Sequence, residues 1–274
     1  MIKDKGGKGG FFAGTPPGEG SHMNRNSQIY IATIAPDCGE MAEKYGLGLE
    51  CDAFCTAANL EDPAVIRQAA GQMAAVGHRV LHAPFNELCP AAIDPEVRRI
   101  TRMRYEQAWA MAQRLGASRM VVHSGYIPLI YFPQWFVEQS VQFWKDFLRD
   151  KPADCRILLE NVLEPEPDMD LELVRRVNDP RLKLCLDLGH ANSQVSETPV
   201  EAWVRRWAPC LGHVHLHNNG GGWDTHSGLA EGTIPMEHIL DLLGRLAPQA
   251  TWTLETTKAG PSCKWLEERG LIGR

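Results

Sequence analysis

The sequence predicts a single (β/α)8 TIM barrel, and three observations carry that prediction. Eight short β-branched or Leu-rich runs follow one another along the chain. Longer amphipathic segments separate them, and strand alternating with helix implies right-handed crossovers and a parallel sheet. Side chains able to bind metal sit near the C-terminal ends of those runs, the rim on which barrels of this class build their sites. An open doubly wound sheet is the competing architecture, and counting repeats does not exclude it. About 250 residues for eight units is the size of the closed barrel.

In chain order the expected strands are IYIATIA (29–35), LGLECDAF (47–54), RVLHAP (79–84) and RMVVHSG (119–125). RILLENV (156–162), LKLCLDLGH (182–190), GHVHLHN (212–218) and TWTLETT (251–257) complete the set. A short helix is expected around 39–46. Asp62 and Pro63 open another that runs to about Val76, and Asp94 with Pro95 opens a long one to about Leu115. An acidic cap followed by Pro in the first turn is a helix start signal. Residues 133–150 and 235–246 carry apolar stripes at three- and four-residue spacing. Residues 1–22 are rich in Gly and Pro, lack periodicity and end in the Gly-Ser-His that precedes Met23. They read as an expression leader without fixed structure, leaving 23–274 as one barrel domain.

Composition narrows the function. With 44% hydrophobic and 23% charged residues the chain has the profile of a soluble globular protein. The net charge of −6 argues against a surface built mainly to grip nucleic acid. Eight cysteines (38, 51, 55, 89, 155, 185, 210, 263) are scattered through apolar segments without a CxxC, which reads as reduced thiols and a cytoplasmic location. No run is long and apolar enough to span a membrane. Neither oligomeric state nor a homo-oligomeric partner is decided at this level.

Placed on the strand map, His82 falls near the end of the third strand, His123 at the end of the fourth and Glu160 near the end of the fifth. Asp187 and His190 end the sixth, His215 lies in the seventh and Glu255 near the end of the eighth, while Asp224 and His226 follow the seventh. Carboxylates late in apolar strands need partners, because an unpaired buried charge is costly. Each residue alone reads equally as a hydrogen-bonded rim residue; the set together points to a divalent metal. His213, His215 and His217 alternate, so they point the same way at different heights, about 6–7 Å apart. One ion cannot use all three: His213 reads as a core histidine and His217 as a substrate contact. Trp223 could stack on a sugar ring or anchor its loop. Trp135 and Phe136 read first as barrel packing, and Gly220, Gly221 and Gly222 as a turn or a mobile loop.

The motifs HAPF (82–85), VVHSG (121–125), LLEN (158–161), LDLGH (186–190), GHVH (212–215), WDTHSGLAEGTI (223–234) and LET (254–256) resemble the xylose isomerase-like barrel superfamily. That superfamily includes sugar-phosphate isomerases and epimerases and endonuclease IV. The ketose epimerase pattern implies one Mn, Co or similar ion on Glu160, Asp187, His215 and Glu255. Glu160 and Glu255 would then also be the catalytic acid and base, moving a proton through a metal-stabilised enediolate. The endonuclease IV pattern implies three zincs: His82, His123 and Glu160 for one, and Asp187, His215 and Glu255 with shared Glu160 for the second. The third would take His190, Asp224 and His226. All nine positions match in type, but the first strand reads IATIAPDCG where that nuclease has an HVSxAGG-like segment. The loop after GHVH reads HNNGGGWD and lacks the acidic and arginine residues of ketose 3-epimerases, with Asn218 where many relatives have Asp.

The resemblance therefore implies a metal-dependent isomerase or epimerase of a small sugar-like molecule, with Zn, Mn or Co as cofactor. Substrate contacts are expected from His82, His123, His190, His217 and Trp223. The alternative is an endonuclease IV-like multi-zinc phosphodiesterase acting on nucleic acid, or a related metal-dependent lyase or hydrolase.

Overall fold

A computed structural model describes residues 25–273, so the expected leader and a start at Met23 lie outside the described residues. The strands β1 (Ile29–Ala32), β2 (Gly48–Cys51), β3 (Arg79–His82), β4 (Arg119–His123), β5 (Arg156–Glu160), β6 (Leu182–Asp187), β7 (Leu211–Leu216) and β8 (Thr251–Leu254) are all parallel. β8 pairs with β1 and closes the barrel, which removes the open doubly wound alternative.

Every expected strand begins within one residue of its observed start, and every one overruns the observed end. The excess residues leave the ladder to form the rim, where the backbone turns toward the next helix. The largest correction is at 188–190. Asp187 ends β6, its Oδ1 accepts the His190 amide at 2.7 Å, and LGHA becomes a one-turn helix. An acid that can cap the next turn stops the strand.

The outer layer comprises α1 (Cys38–Tyr45), α2 (Pro63–Ala74), α3 (Pro95–Arg114), α4 (Pro133–Leu148), α5 (Asp168–Val177), α6 (Leu188–Ala191), α7 (Val200–Trp207), α8 (Met236–Leu246) and α9 (Ala259–Glu268). Asp62 and Asp94 cap α2 and α3 as the sequence suggested, each with Pro in the first turn. A continuous apolar layer between strands and helices contains Trp144, Trp203, Trp207 and Phe136, all fully buried. Phe136 thus packs on the barrel as expected, and Trp135 stacks on Tyr131 at 5.9 Å. All eight cysteines are free, and no described helix is long and apolar enough to cross a membrane.

Inside the barrel, Tyr30, Val80, Val121, Leu158 and Cys185 form a separate apolar plug. Period-two alternation then places His82, His123, Glu160 and Asp187 two residues further along β3, β4, β5 and β6, pointing inward above the plug. A register shift at Leu184/Cys185 sets Asp187 directly opposite His215 and Cys185 opposite His213. Without that shift Asp187 would sit opposite Val214, and His213 and His215 would turn away from the site.

Asp94→Ala removes the cap of the 20-residue α3, whose Oδ1 accepts the Glu96 amide at 2.7 Å. The expected loss is about 1 kcal/mol, read as a lower urea midpoint at unchanged slope.

Candidate metal centre and active site

The inward-facing residues converge at the C-terminal mouth of the barrel. His215 is the hub: its Nδ1 lies 3.0 Å from Glu160 Oε1, 3.0 Å from Glu255 Oε2 and 3.5 Å from Asp187 Oδ2. Glu160 also faces His82 Nε2 at 3.1 Å and His123 Nε2 at 3.3 Å. Two ligand sets therefore share one carboxylate: Glu160, Asp187, His215 and Glu255, and His82, His123 and Glu160. Both are the sets that the sequence motifs implied.

A third set differs in one member. His217, Asp224 and His226 offer atoms close enough to share an ion. His226 Nε2 is 2.9 Å and His217 Nδ1 3.4 Å from the Asp224 carboxylate. His190, expected in this set, reaches Asp224 through Nε2 at 3.3 Å, while its Nδ1 lies 2.8 Å from the Asn161 carbonyl oxygen. His217, expected as a substrate contact, is fully buried with Nε2 at 2.9 Å from both Asp187 oxygens, so it stands among the candidate ligand residues. Only glycine fits behind it, since a Cβ on Gly189 would run into its ring. His226 has φ of 45°, a costly conformation for a non-glycine residue. Its ring, stacked on His217 at 4.3 Å, and its Nδ1, 2.9 Å from the Glu255 carbonyl oxygen, hold it there.

The remaining expected residues take supporting places. His213 lies lower in the barrel against Glu50, Thr251 and Thr253, as a core histidine should. Phe85 of the HAPF motif stacks on His123 at 4.1 Å. Asn218 is buried and ties the loop after β7 through Leu229 and Ile234. Trp223, 78% exposed, stands out from that same loop. A separate cavity lies between α8, α9 and the chain before β1, and none of these candidate ligand residues lines it.

Sequence reasoning missed three contributors. Asn161 clamps β5 to β6, donating to the Asp187 carbonyl and accepting its amide. Glu50 sits mid-strand on β2 and reaches both His213 and His215. Asp52 follows the same strand, beside Thr33 and Ile34. Acids alternating with apolar residues in LGLECDAF were the available signal for the last two.

Electrostatics keep the set poised for a cation. Burial works to raise Glu160, but His215 and His123 outweigh it and hold the carboxyl well below its ordinary range. Burial likewise opposes the ionised form of Asp187, and His190 and His217 overcome it. Asp52 goes the other way: burial, then Glu50 and Glu255, push it up to about 7. Burial depresses His226, yet its bond to Asp224 lifts it to about 9. Three buried atoms at the centre make no hydrogen bond: Glu255 Oε2, His217 Nδ1 and Asp224 Oδ1. Lone pairs facing each other without a proton between them suit a metal ion, and imidazole with carboxylate suits Zn, Mn or Co.

Zinc added to chelator-treated protein should raise the melting temperature, with a gain of about 2.7 kcal/mol once free zinc reaches a hundred times its Kd. Because His226 must lose its proton to bind, affinity at its pocket should rise with pH until about 9. A melting temperature indifferent to zinc across that range would count against all three ligand sets.

Comparison with known proteins bears on the family and the fold. The chain is 28% identical over 185 residues to the uncharacterised protein MJ1311 of Methanocaldococcus jannaschii, covering 64% of this chain and 63% of that one. It thus spans about three fifths of the length of the curated relatives it matches. Among solved structures, a D-tagatose 3-epimerase-like protein superposes with TM-score 0.72 at 22% identity, covering 89% of this chain and 97% of its own. The TTHB071 protein of Thermus thermophilus, from crystals soaked with zinc chloride, superposes with TM-score 0.69 at 26% identity, covering 88% and 97%. The family model described as xylose isomerase-like TIM barrel matches residues 36–271, and with the closed barrel this makes the chain a member of that family.

Proposed function

We propose that the protein is a metal-dependent isomerase or epimerase acting on an uncharged sugar-like hydroxycarbonyl compound. The observation that carries the reading is the four-residue set Glu160, Asp187, His215 and Glu255, with an orphan carboxylate oxygen on Glu255 facing the others. A divalent ion held there would polarise a carbonyl and its neighbouring hydroxyl. Glu255 is the residue placed to take the proton, since its side chain keeps some exposure to the mouth. Glu160 is fully buried and held ionised by His215, His123 and His82, so it serves as the fixed carboxylate across the site. Trp223 on the rim offers an indole face to a sugar ring.

Charge at the mouth supports an uncharged substrate. The eight connections that lead from strand to helix contain one lysine, Lys258, and no arginine. With β6 to α7 counted as one connection that contains α6 and Glu197, carboxylates occur in all of them except the loop after β4, which instead exposes Ile127, Leu129, Ile130 and Phe132. The arginines that begin β3, β4 and β5 lie at the opposite end. A chain of phosphates extending beyond the metal centre would find only Lys258 in these loops to neutralise it.

The test is metal-dependent exchange of solvent deuterium into ketoses and their phosphates, scored at the carbon beside the carbonyl. Exchange is expected with free ketoses in preference to phosphates. Glu255→Gln, assayed at saturating metal, should lower it by about 10²–10⁴-fold, the usual contribution of a positioned acid–base group. Metal-independent exchange, or full exchange by the variant, would remove the assignment.

A second reading has its own observation. His82 and His123 share Glu160 with the four-residue set, and His217, Asp224 and His226 add a further group, more donors than a single-ion enolisation needs. Clustered ions activate water and neutralise a phosphodiester. Plasma mass spectrometry of protein purified without chelator separates the two. About one ion per chain favours the isomerase, whereas two or three zincs with cleavage of an abasic-site duplex favours the phosphodiesterase.

A further inference from the structure

Beneath the mouth, a column of hydrogen bonds runs through the barrel to the hub histidine. It begins at Arg119, the first residue of β4, whose Nη1 donates to Thr251 Oγ1 at 2.8 Å. Thr251 Oγ1 is 2.6 Å from His213 Nδ1. With Arg119 donating into the hydroxyl, its proton faces His213 Nδ1 at 2.6 Å and the Gly212 carbonyl oxygen at 3.4 Å. Donated at the shorter contact, it leaves the His213 proton on Nε2, which is also 2.8 Å from Thr253 Oγ1. His213 Nε2 lies 3.2 Å from Glu50 Oε2, and Thr253 Oγ1 donates to the same oxygen at 2.5 Å. The other oxygen, Glu50 Oε1, lies 3.2 Å from His215 Nε2.

Glu50 is 1% exposed and sits on β2, far from any solvent that could satisfy it. An ionised carboxylate only accepts hydrogen bonds, so the ring nitrogen facing it must carry a proton. His215 Nδ1 also faces carboxylates, 3.0 Å from Glu160 Oε1, and there a bound ion would take the place of the proton. With the one N–H of the neutral ring kept on Nε2 by Glu50, the Nδ1 lone pair is directed at Glu160, Asp187 and Glu255. We propose that Glu50 is a positioning residue of the metal centre: it fixes His215 in the tautomer whose Nδ1 binds the ion, and the Arg119–Thr251–His213 column orients Glu50 for that task. The role rests on the metal-centre reading of His215 given above, and it assigns work to four residues that touch neither ion nor substrate.

Glu50, His213 and His215 also lie close enough to one another to hold an ion of their own. The column speaks against that use. Three donors already converge on the Glu50 carboxylate, and His215 can present only one lone pair while neutral.

The experiment measures the zinc Kd by chelator competition for the wild-type chain, Glu50→Ala, Glu50→Gln and Thr253→Val. Long-range ¹H–¹⁵N spectra of the histidine rings accompany it. The wild-type, zinc-loaded protein should show His215 protonated at Nε2. Glu50→Ala should weaken zinc by about 10–100-fold, the usual effect of losing the partner of a ligating histidine. Glu50→Gln keeps an oxygen that accepts from His215 and should lose less, and Thr253→Val should cost only a few-fold. A role confined to stability would lower the melting temperature of the variants and leave zinc affinity and tautomer untouched; that result overturns the proposal. Should Glu50→Ala fail to fold, unchanged affinity and tautomer in both other variants overturn it equally. Loss of one zinc per chain from Glu50→Gln, with the remaining Kd unchanged, would show a separate ion at Glu50 and also overturn it. A wild-type chain that binds no zinc, manganese or cobalt fails at the earlier step, and with the metal centre this role falls.

Discussion

The structure is organised around carboxylates that have no water to face. Glu50, Glu160 and Asp187 are each almost completely buried inside the barrel. The cost of burying a charge falls only when each oxygen meets a donor or a cation. The chain meets that constraint with imidazole. His82, His123 and His215 surround Glu160, His217 covers both oxygens of Asp187, and His213 with His215 covers Glu50. Histidine suits this task because it can donate to a carboxylate through one nitrogen and offer a lone pair through the other. A lysine in the same place would satisfy the charge but bind no metal while protonated.

That constraint also explains the layering. The apolar plug of Tyr30, Val80, Val121, Leu158 and Cys185 fills the barrel waist, and the ligand layer stands on it. Leu158 and Glu160, or Cys185 and Asp187, are two residues apart on one strand, so one pleat carries both the plug and the ligand. Position on the sheet thus decides which inward residue is apolar and which is polar. The Glu50 column is the exception, where the polar layer continues downward past the plug to Arg119 at the base.

Much of this was legible in the sequence because it depends on local rules. Strand starts, the Asp-Pro caps of α2 and α3, and the inward alternation of His213, His215 and His217 follow from periodicity and capping. The strand ends were less legible, since the expected runs continue past the ladder into rim residues such as Thr33, Asp52, Ser124 and Asn161. LGH continued an apolar run, and only the capping geometry of Asp187 shows that it turns into helix. The two ligand sets centred on Glu160 could be placed because their members lie on strands. The exchange of His190 for His217 in the third set could not, because Asp224 and His226 hang on a loop whose path is set by Asn218, Leu229 and Ile234. Glu50 escaped notice because a search for chemistry at strand ends passes over an acid in mid-strand. Its partners are 163 and 165 residues away, a pairing that only closure of the barrel creates.

Charge is divided along the barrel axis. Arginines begin β3, β4 and β5 at the base, and Arg119 feeds its hydrogen bonds upward into the interior. Carboxylates dominate the mouth, where Lys258 is the one lysine or arginine of the connecting loops. An acidic mouth attracts a divalent cation and repels a polyanion, and the field acts on both before either makes contact. An ion held there would reverse the sign at the centre alone and leave the rim as it was. A substrate that fits both conditions brings oxygen donors to the centre and little negative charge to the rim. Under the proposed function a polyhydroxy carbonyl compound would do so, and the exposed apolar side chains of the loop after β4 and the indole of Trp223 are available to its carbon face.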